Sequence, residues 1–214
     1  MLINYFGIYD FFVAFTMNTN ISQKRLDKMK RVLDCRLNKL TIVLDNVFDP
    51  HNISAVLRSC DAFGIQNVHI IETTEKFKVN KEISHKCEKW LTLHIWKSFN
   101  ECANFLKKNN YKIYSTCFAE DAIPIDNIPL NSPVAIVMGN EHRGVDDNIT
   151  NLCDGKIIIP MFGFVQSLNV SVASAITLAF LSSKMRATID DSTFLPEVER
   201  NKLLTKWLNE HNKK

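Results

Sequence analysis

The chain has 214 residues, 46% of them hydrophobic, and a formal net charge of +3. This length can bury one sizeable core, which favours one compact domain with terminal extensions over two full domains. The six cysteines never come within the two-to-four-residue separations of zinc knuckles, so we expect no metal site. We interpret the cysteines as buried thiols of a cytoplasmic protein, because disulfides are rare in that compartment.

The first sixteen residues are apolar and aromatic. They carry Asp10 and no Lys or Arg before Met17. The segment is too short to span a membrane and lacks the basic start of a signal peptide. We therefore expect residues 1–16 to be a disordered tail or the product of an upstream start site. We expect the functional protein to begin at Met17 and to have no membrane attachment.

A basic stretch follows. Between Lys24 and Lys39 the sequence has seven basic and two acidic residues. Apolar residues recur within it at steps of three and four, which predicts an amphipathic helix over 22–37. Its polar face is either an ordinary solvated surface or a contact for RNA phosphates. The candidates for the RNA contact are Lys28, Lys30, Arg31 and Arg36.

The middle of the chain alternates short apolar runs with helical patterns, which predicts an α/β fold with a mainly parallel sheet flanked by helices. We expect Asn52 to cap one helix that stops at Gly64, and Ser98 with Glu101 to open another. We place a basic N-terminal helix at 17–39, the main domain at 40–187 and a helical extension at 188–214. The predicted strands are Thr41–Leu44, Val68–Ile71, Lys112–Thr116, Val134–Met138 and Ile157–Ile159.

The glycines exclude two common α/β chemistries. None of the six glycines forms G-x-G, so the dinucleotide fingerprint of dehydrogenases is missing. Gly139 and Gly144 have the spacing of a phosphate-binding P-loop, but Val145 and Asp146 follow where Lys and Ser or Thr are required. A dehydrogenase and an NTPase are therefore both disfavoured.

Three blocks of sequence carry the functional signal. They are NISAVLRSCDAFG at 52–64, VMGNEHRG at 137–144, and IPMFGFVQSLNVSVA at 159–173. In order and spacing they resemble the three signature motifs of the SPOUT RNA ribose 2'-O-methyltransferases. The resemblance covers about 22–197 and favours the TrmH branch, which methylates guanosine 18 in the D-loop of tRNA.

The resemblance implies a fold feature that periodicity does not reveal, a deep trefoil knot at the C-terminal end of the domain. Knots are nearly absent among protein folds, so topology rules alone would not predict one. The resemblance also implies a homodimer, a tRNA substrate and the cofactor S-adenosyl-L-methionine. The residues that it assigns to the cofactor are Thr116, Gly139, Ile159 and Leu168.

The same motifs supply candidates for the reaction. Arg58 carries a planar fork of donors that suits a phosphate or the target hydroxyl. Because arginine stays protonated far above neutral pH, we expect it to polarise or hold rather than to accept the proton. Asn169 is expected to hydrogen-bond Asn52 or to orient Arg58, and His51 is a further RNA-contact candidate. The full set of predicted catalytic residues is Arg58, Asn52, Glu141, Ser167 and Asn169.

Two alternatives remain at this point. Within the same class, the enzyme would methylate rRNA or another tRNA nucleotide. Relatives of that kind commonly add an N-terminal RNA-binding domain, whereas this chain has only a short basic helix. In a different class, the chain would be a non-catalytic RNA-binding module on the same scaffold. The presence of Arg58, Glu141 and Asn169 argues against that module.

Overall fold

The computed structural model describes residues 21–73, 77, 80–84, 86–140, 143–188, 190 and 192–212. The predicted leader at 1–16 and Glu141 lie outside the described residues. The chain divides into two compact units, one formed by the residues up to Cys35 with those from Leu195 onward, the other by Arg36–Phe194. The predicted domain at 40–187 lies within the main unit.

The main unit contains a seven-stranded parallel sheet, as the alternating pattern predicted. The strand order is β3-β2-β1-β6-β4-β7-β5. The order reverses direction between β1 and β6, and open α/β sheets bind ligands beyond the strand ends at such a point. The strands are β1 Leu40–Asp45, β2 Asn67–Ile71, β3 Thr92–Trp96, β4 Lys112–Thr116, β5 Ile123–Pro124, β6 Val134–Met138 and β7 Gly155–Ile158.

Helices cover both faces of this sheet. The helices are α1 Gln23–Asp34, α2 Pro50–Phe63, α3 Lys81–Ser84, α4 Phe99–Lys108, α5 Asp147–Thr150, α6 Val170–Ala187 and α7 Glu197–Asn212. Single-turn 3-10 helices lie at Cys87–Trp90 and Ile125–Asn127. Of these elements, α1 and α7 belong to the smaller unit.

The two faces of the sheet form two separate hydrophobic cores. On one face, Ile42 and Ile136 pack with Leu57 of α2 and Leu181 of α6. On the other face, Val43 packs with α4 and with neighbouring strand residues. Side chains alternate between faces along a strand, so a sheet covered on both faces needs continuous apolar runs. This is why all six residues of β1 are buried.

Local signals set where the helices begin and end. Gly64 has φ 78° and ends α2, as predicted, because this left-handed conformation suits glycine. Ser98 caps α4 by accepting a hydrogen bond from the Glu101 amide at 3.3 Å, also as predicted. The expectation that Asn52 caps α2 is wrong. Asp49 caps it, accepting from the His51 amide at 2.8 Å, and Pro50 takes the first helical position, which its fixed φ favours.

Candidate active site

The candidate site is built on the carboxyl edge of the sheet. Because β6, β4 and β7 are parallel neighbours, the residues that end or follow them lie along one edge. Thr116 ends β4 and donates from its hydroxyl to the Val137 carbonyl at 2.9 Å, which ties the ends of β4 and β6 together. Gly139 follows β6 and Ile159 follows β7. Three of the four predicted cofactor residues therefore share this edge.

A tight turn after β6 explains the two motif glycines. The Asn140 and Gly144 backbones exchange hydrogen bonds of 3.0 and 2.9 Å. A Cβ built on Gly139 would lie 2.0 Å from the Gly144 carbonyl carbon, so no other residue fits there without moving the backbone. Gly144 itself has φ 69°. The turn requires glycine at both positions for backbone reasons alone.

The backbone beside this edge offers open hydrogen-bonding groups. The main chains of Gly139 and Ile159 at this edge, and of Leu168 directly before the N-cap of α6, form no hydrogen bond with residues that the structure describes. The side chains of Ile159 and Leu168 are half-buried. Apolar side chains combined with open amides and carbonyls suit an adenine, which needs a flat apolar surface and a few donors and acceptors. This donor set fits the adenosyl group of S-adenosylmethionine.

The first and third motifs meet through a pair of asparagines. Asn169 caps α6, and its side-chain oxygen accepts from the Ser171 amide at 2.8 Å and the Ser171 hydroxyl at 2.6 Å. Its side-chain nitrogen donates to the Asn52 side-chain oxygen at 3.0 Å. The contact expected between these two residues is therefore present. Ser167, two residues earlier, is exposed.

Arg58 lies apart from this pair. It is six residues beyond Asn52 on α2, which places it about 9 Å further along the axis and about 120° around it. Its side chain is exposed and makes no hydrogen bond or ion pair with a described residue. His51 is also exposed and lies seven residues before Arg58, on the same helix face. The site in one chain is thus divided between the asparagine pair and the Arg58 face.

The predicted RNA contacts separate in the same way. Lys28, Lys30 and Arg31, called the α1 cations below, are all exposed. Arg36 is fully buried and forms an ion pair with Asp61 and a 3.1 Å hydrogen bond to the Ile65 carbonyl. The prediction that Arg36 binds RNA is wrong, because its guanidinium anchors the end of α2 instead. Helix α1 ends at Asp34, before the predicted limit of Leu37.

A second feature of the carboxyl edge escaped the motif analysis. A cleft of about 330 Å³ opens beyond the ends of β1, β2 and β6, where the strand order reverses. Its polar lining among described residues is Asp45, Asn46, Thr73, Asn140, Arg143, Gly144, Asp146 and Asn148. Burial raises the pKa of Asp45 above its ordinary value. The sequence signal was an acid that directly ends a mostly apolar strand.

Parallel α/β topology and a glycine-pinned turn at the carboxyl edge define this unit as an α/β domain with a candidate cofactor edge. A family model described as the SpoU rRNA Methylase family matches residues 39–179. The chain belongs to this family.

Individual relatives are similar over most of the chain. The tRNA (guanosine(18)-2'-O)-methyltransferase of Thermus thermophilus is 36% identical, over 87% of this chain and 97% of that protein. The Escherichia coli protein of the same name is 31% identical over 84% of this chain and 80% of its own length. The crystal structure of the A. aeolicus TrmH/SpoU tRNA modifying enzyme superposes with a TM-score of 0.81 at 32% identity, covering 88% of this chain and 97% of that one.

No described helix is long and apolar enough to cross a membrane.

Proposed function

We propose that the protein is an S-adenosylmethionine-dependent methyltransferase that modifies the ribose 2'-hydroxyl of guanosine 18 in tRNA. The names of the Thermus thermophilus and Escherichia coli relatives support this activity. The observation that carries the proposal is the hydrogen bond between Asn52 and Asn169, which joins the first and third motifs at the carboxyl edge. The enzyme acts in the cytoplasm and requires no metal.

The cofactor lies along the ends of β4, β6 and β7. The open main-chain groups of Gly139, Ile159 and Leu168 bind its adenine, and Thr116 fixes the spacing of the strand ends. When bound, S-adenosylmethionine supplies an electrophilic methyl group for in-line displacement by the ribose oxygen. The protein then contributes mainly by positioning the two partners, which can account for several kcal/mol of a reaction barrier. The C-terminal knot remains a prediction that completes this pocket.

Arg58 grips the target nucleotide. Its exposed guanidinium suits a bidentate contact with a phosphate. It also polarises the 2'-hydroxyl, and the proton that this hydroxyl loses passes to the phosphate that Arg58 holds. His51, about 10 Å away on the same helix face, contacts the RNA beside it. Asn52, Ser167, Asn169 and Glu141 hold the ribose and the loops around it.

The active enzyme is a homodimer. Within one chain Arg58 lies on a different face of α2 from Asn52, which supports an arrangement in which Arg58 of one chain and Asn52 of the other meet at one substrate. Helix α6 exposes three apolar side chains at four-residue steps, Val172, Ile176 and Phe180. Phe162 and Phe164 in the preceding loop are almost fully exposed. An apolar surface of this kind is typical of a protein interface.

The α1 cations bind the tRNA backbone. Lys28 and Arg31 lie three residues apart on one exposed helix face, and Lys30 lies at its flank. Phosphate contacts by such side chains supply affinity rather than sequence specificity. The α1 cations therefore bring tRNA to the enzyme, and the carboxyl edge selects the nucleotide.

Methylation of rRNA is the second candidate, since the family model that matches the chain is described by rRNA methylation. Incubation with methyl-labelled S-adenosylmethionine and separate tRNA and rRNA transcripts decides between them. We expect label in tRNA. Label confined to rRNA would replace the proposed substrate, and label in neither would contradict an enzymatic function.

A further inference from the structure

The cleft between the ends of β1, β2 and β6 lies beside the predicted cofactor edge without being part of it. Asn140, Arg143 and Gly144, which follow β6, line one side of the cleft. The ends of β1 and β4 are separated by β6, and two strand spacings amount to about 10 Å. A nucleoside whose base enters the cleft would therefore place its ribose toward the cofactor edge.

Asp45 is the chemically distinctive group in this cleft. Only 5% of it is exposed. Its carboxylate accepts one hydrogen bond, from the Asn46 side chain at 2.9 Å, and it forms no ion pair with a described residue. A buried carboxylate is costly unless its oxygens receive donors. Asp45, which lines the cleft, therefore retains the capacity to accept further hydrogen bonds.

The remaining lining supplies the complementary groups. Arg143 is exposed at the cleft and carries donors, and Asn148 offers an amide on the same side. Phe99 and Ile149 provide an apolar wall against which a flat ring can pack.

The second acid of the lining, Asp146, already caps α5 by accepting from the Asn148 backbone amide at 2.8 Å. Asp45 beside the Arg143 guanidinium and an apolar wall matches one base edge best. Guanine presents the N1–H donor next to the O6 acceptor, whereas adenine presents an acceptor at N1.

We propose that this cleft binds the target guanine, with Asp45 accepting from N1–H and Arg143 donating to O6. This assignment rests on the proposed function, because it concerns the base of the nucleotide whose ribose is methylated. Adenine in the same position would set its N1 lone pair against the Asp45 carboxylate. Sites built to hydrogen-bond a substrate group reject analogues without it by large factors.

The test compares tRNA transcripts that carry guanosine, inosine or adenosine at the methylated position. For the wild-type protein we expect kcat/KM for guanosine to exceed that for adenosine by at least about a hundredfold. Inosine retains N1–H and O6, so it should stay within about tenfold of guanosine. Inosine as poor as adenosine would overturn the assignment of these two groups.

Asp45→Asn supplies the decisive variant. Its amide can donate to adenine, so the guanosine-to-adenosine ratio should fall toward one. The variant should also unfold at a higher temperature than the wild type, because it no longer buries a carboxylate. Asp147→Asn makes the same charge change at an exposed position outside the described lining, and it should keep the wild-type ratio.

The outcomes separate this inference from the proposed function. A folded Asp45→Asn protein that keeps the wild-type preference for guanosine would overturn the role of the cleft and leave the methyltransferase activity intact. Absence of methylation of every transcript by the wild-type protein would overturn the proposed function, and this assignment with it.

Discussion

Asn169 has two structural roles that substitutions can separate. Its side-chain oxygen caps α6 through Ser171, and its nitrogen donates to Asn52. Asn169→Ala removes both interactions. Loss of the cap costs about 1 kcal/mol, and loss of a net hydrogen bond costs about 1 kcal/mol more. For a chain of this size the sum corresponds to a fall in Tm of about 4–8 °C.

Asn169→Ser is the matched variant, because serine caps helices as well as asparagine does. It lacks the amide that reaches Asn52, so its Tm should fall by only about 2–4 °C. Both variants should lose methyl transfer, since the contact between the first and third motifs is broken in each. Thermal unfolding followed by circular dichroism measures the first effect, and label incorporation into tRNA measures the second.

A double-mutant cycle completes this test. Combining Asn169→Ser with Asn52→Ala should cost less stability than the two single changes together, because they remove the same hydrogen bond. Strict additivity, or an Asn169→Ser protein with wild-type activity, would refute the reasoning that this pair organises the site.

Three further predictions concern assembly, RNA binding and acid stability. Val172→Lys should convert the dimer to a monomer near 24.6 kDa in light scattering. The control Val198→Lys, at another exposed helical valine, should leave the dimer intact. A Val172→Lys protein that is still a dimer would contradict the assignment of α6 to the interface. Neutral replacement of the α1 cations should weaken tRNA binding and reduce the slope of log K against log salt concentration by up to about one unit per lost contact. The control Lys108→Gln should change neither the affinity nor the slope. Equal slopes for the wild-type protein and the α1 variant in filter binding would exclude the phosphate contacts. Burial, with His94 nearby, lowers the pKa of His69 to about 3, so stability is full above the unfolded pKa near 6.5 and falls as pH drops toward the folded value. Urea titrations should show a free energy of unfolding that is about 2 kcal/mol lower at pH 5 than at pH 7.5. The variant His69→Gln can still accept a hydrogen bond from Trp96, and it should not show this loss. An equal loss in both proteins would assign the pH dependence to other groups.

Much of the fold was predictable because parallel sheets leave a strong sequence signal. Val134–Met138 matches β6, since a strand buried on both faces is a continuous apolar run. Lys112–Thr116 matches β4, of which only the three central residues are buried. The strand β3 was missed. It lies at the edge of the sheet, and its residues Thr92–Trp96 are only partly buried and include His94. The strand β5 has two residues, which is too short for any periodicity.

The sequence predicted the parts of the site that lie within the three motifs, and it did not predict the parts that tertiary structure brings together. The partnership of Asn52 with Asn169 spans 117 positions of sequence and follows from the motif order. The burial of Arg36 depends on the position of Asp61, which the local basic pattern does not contain. The cleft at Asp45 is assembled from the ends of three strands. Only the strand order brings those ends together, so no single stretch of sequence displays it.

The central claim is tested most directly by mapping the methylated ribose in a tRNA transcript after reaction with the wild-type protein and with Arg58→Ala. Our account predicts a single 2'-O-methyl group on guanosine 18 with the wild-type protein. It predicts a roughly thousandfold lower rate with Arg58→Ala, with unchanged binding of S-adenosylmethionine, because the cofactor contacts come from the carboxyl edge. Near-normal methylation by the folded Arg58→Ala protein, or a methyl group placed on a base instead of a ribose, would contradict the account.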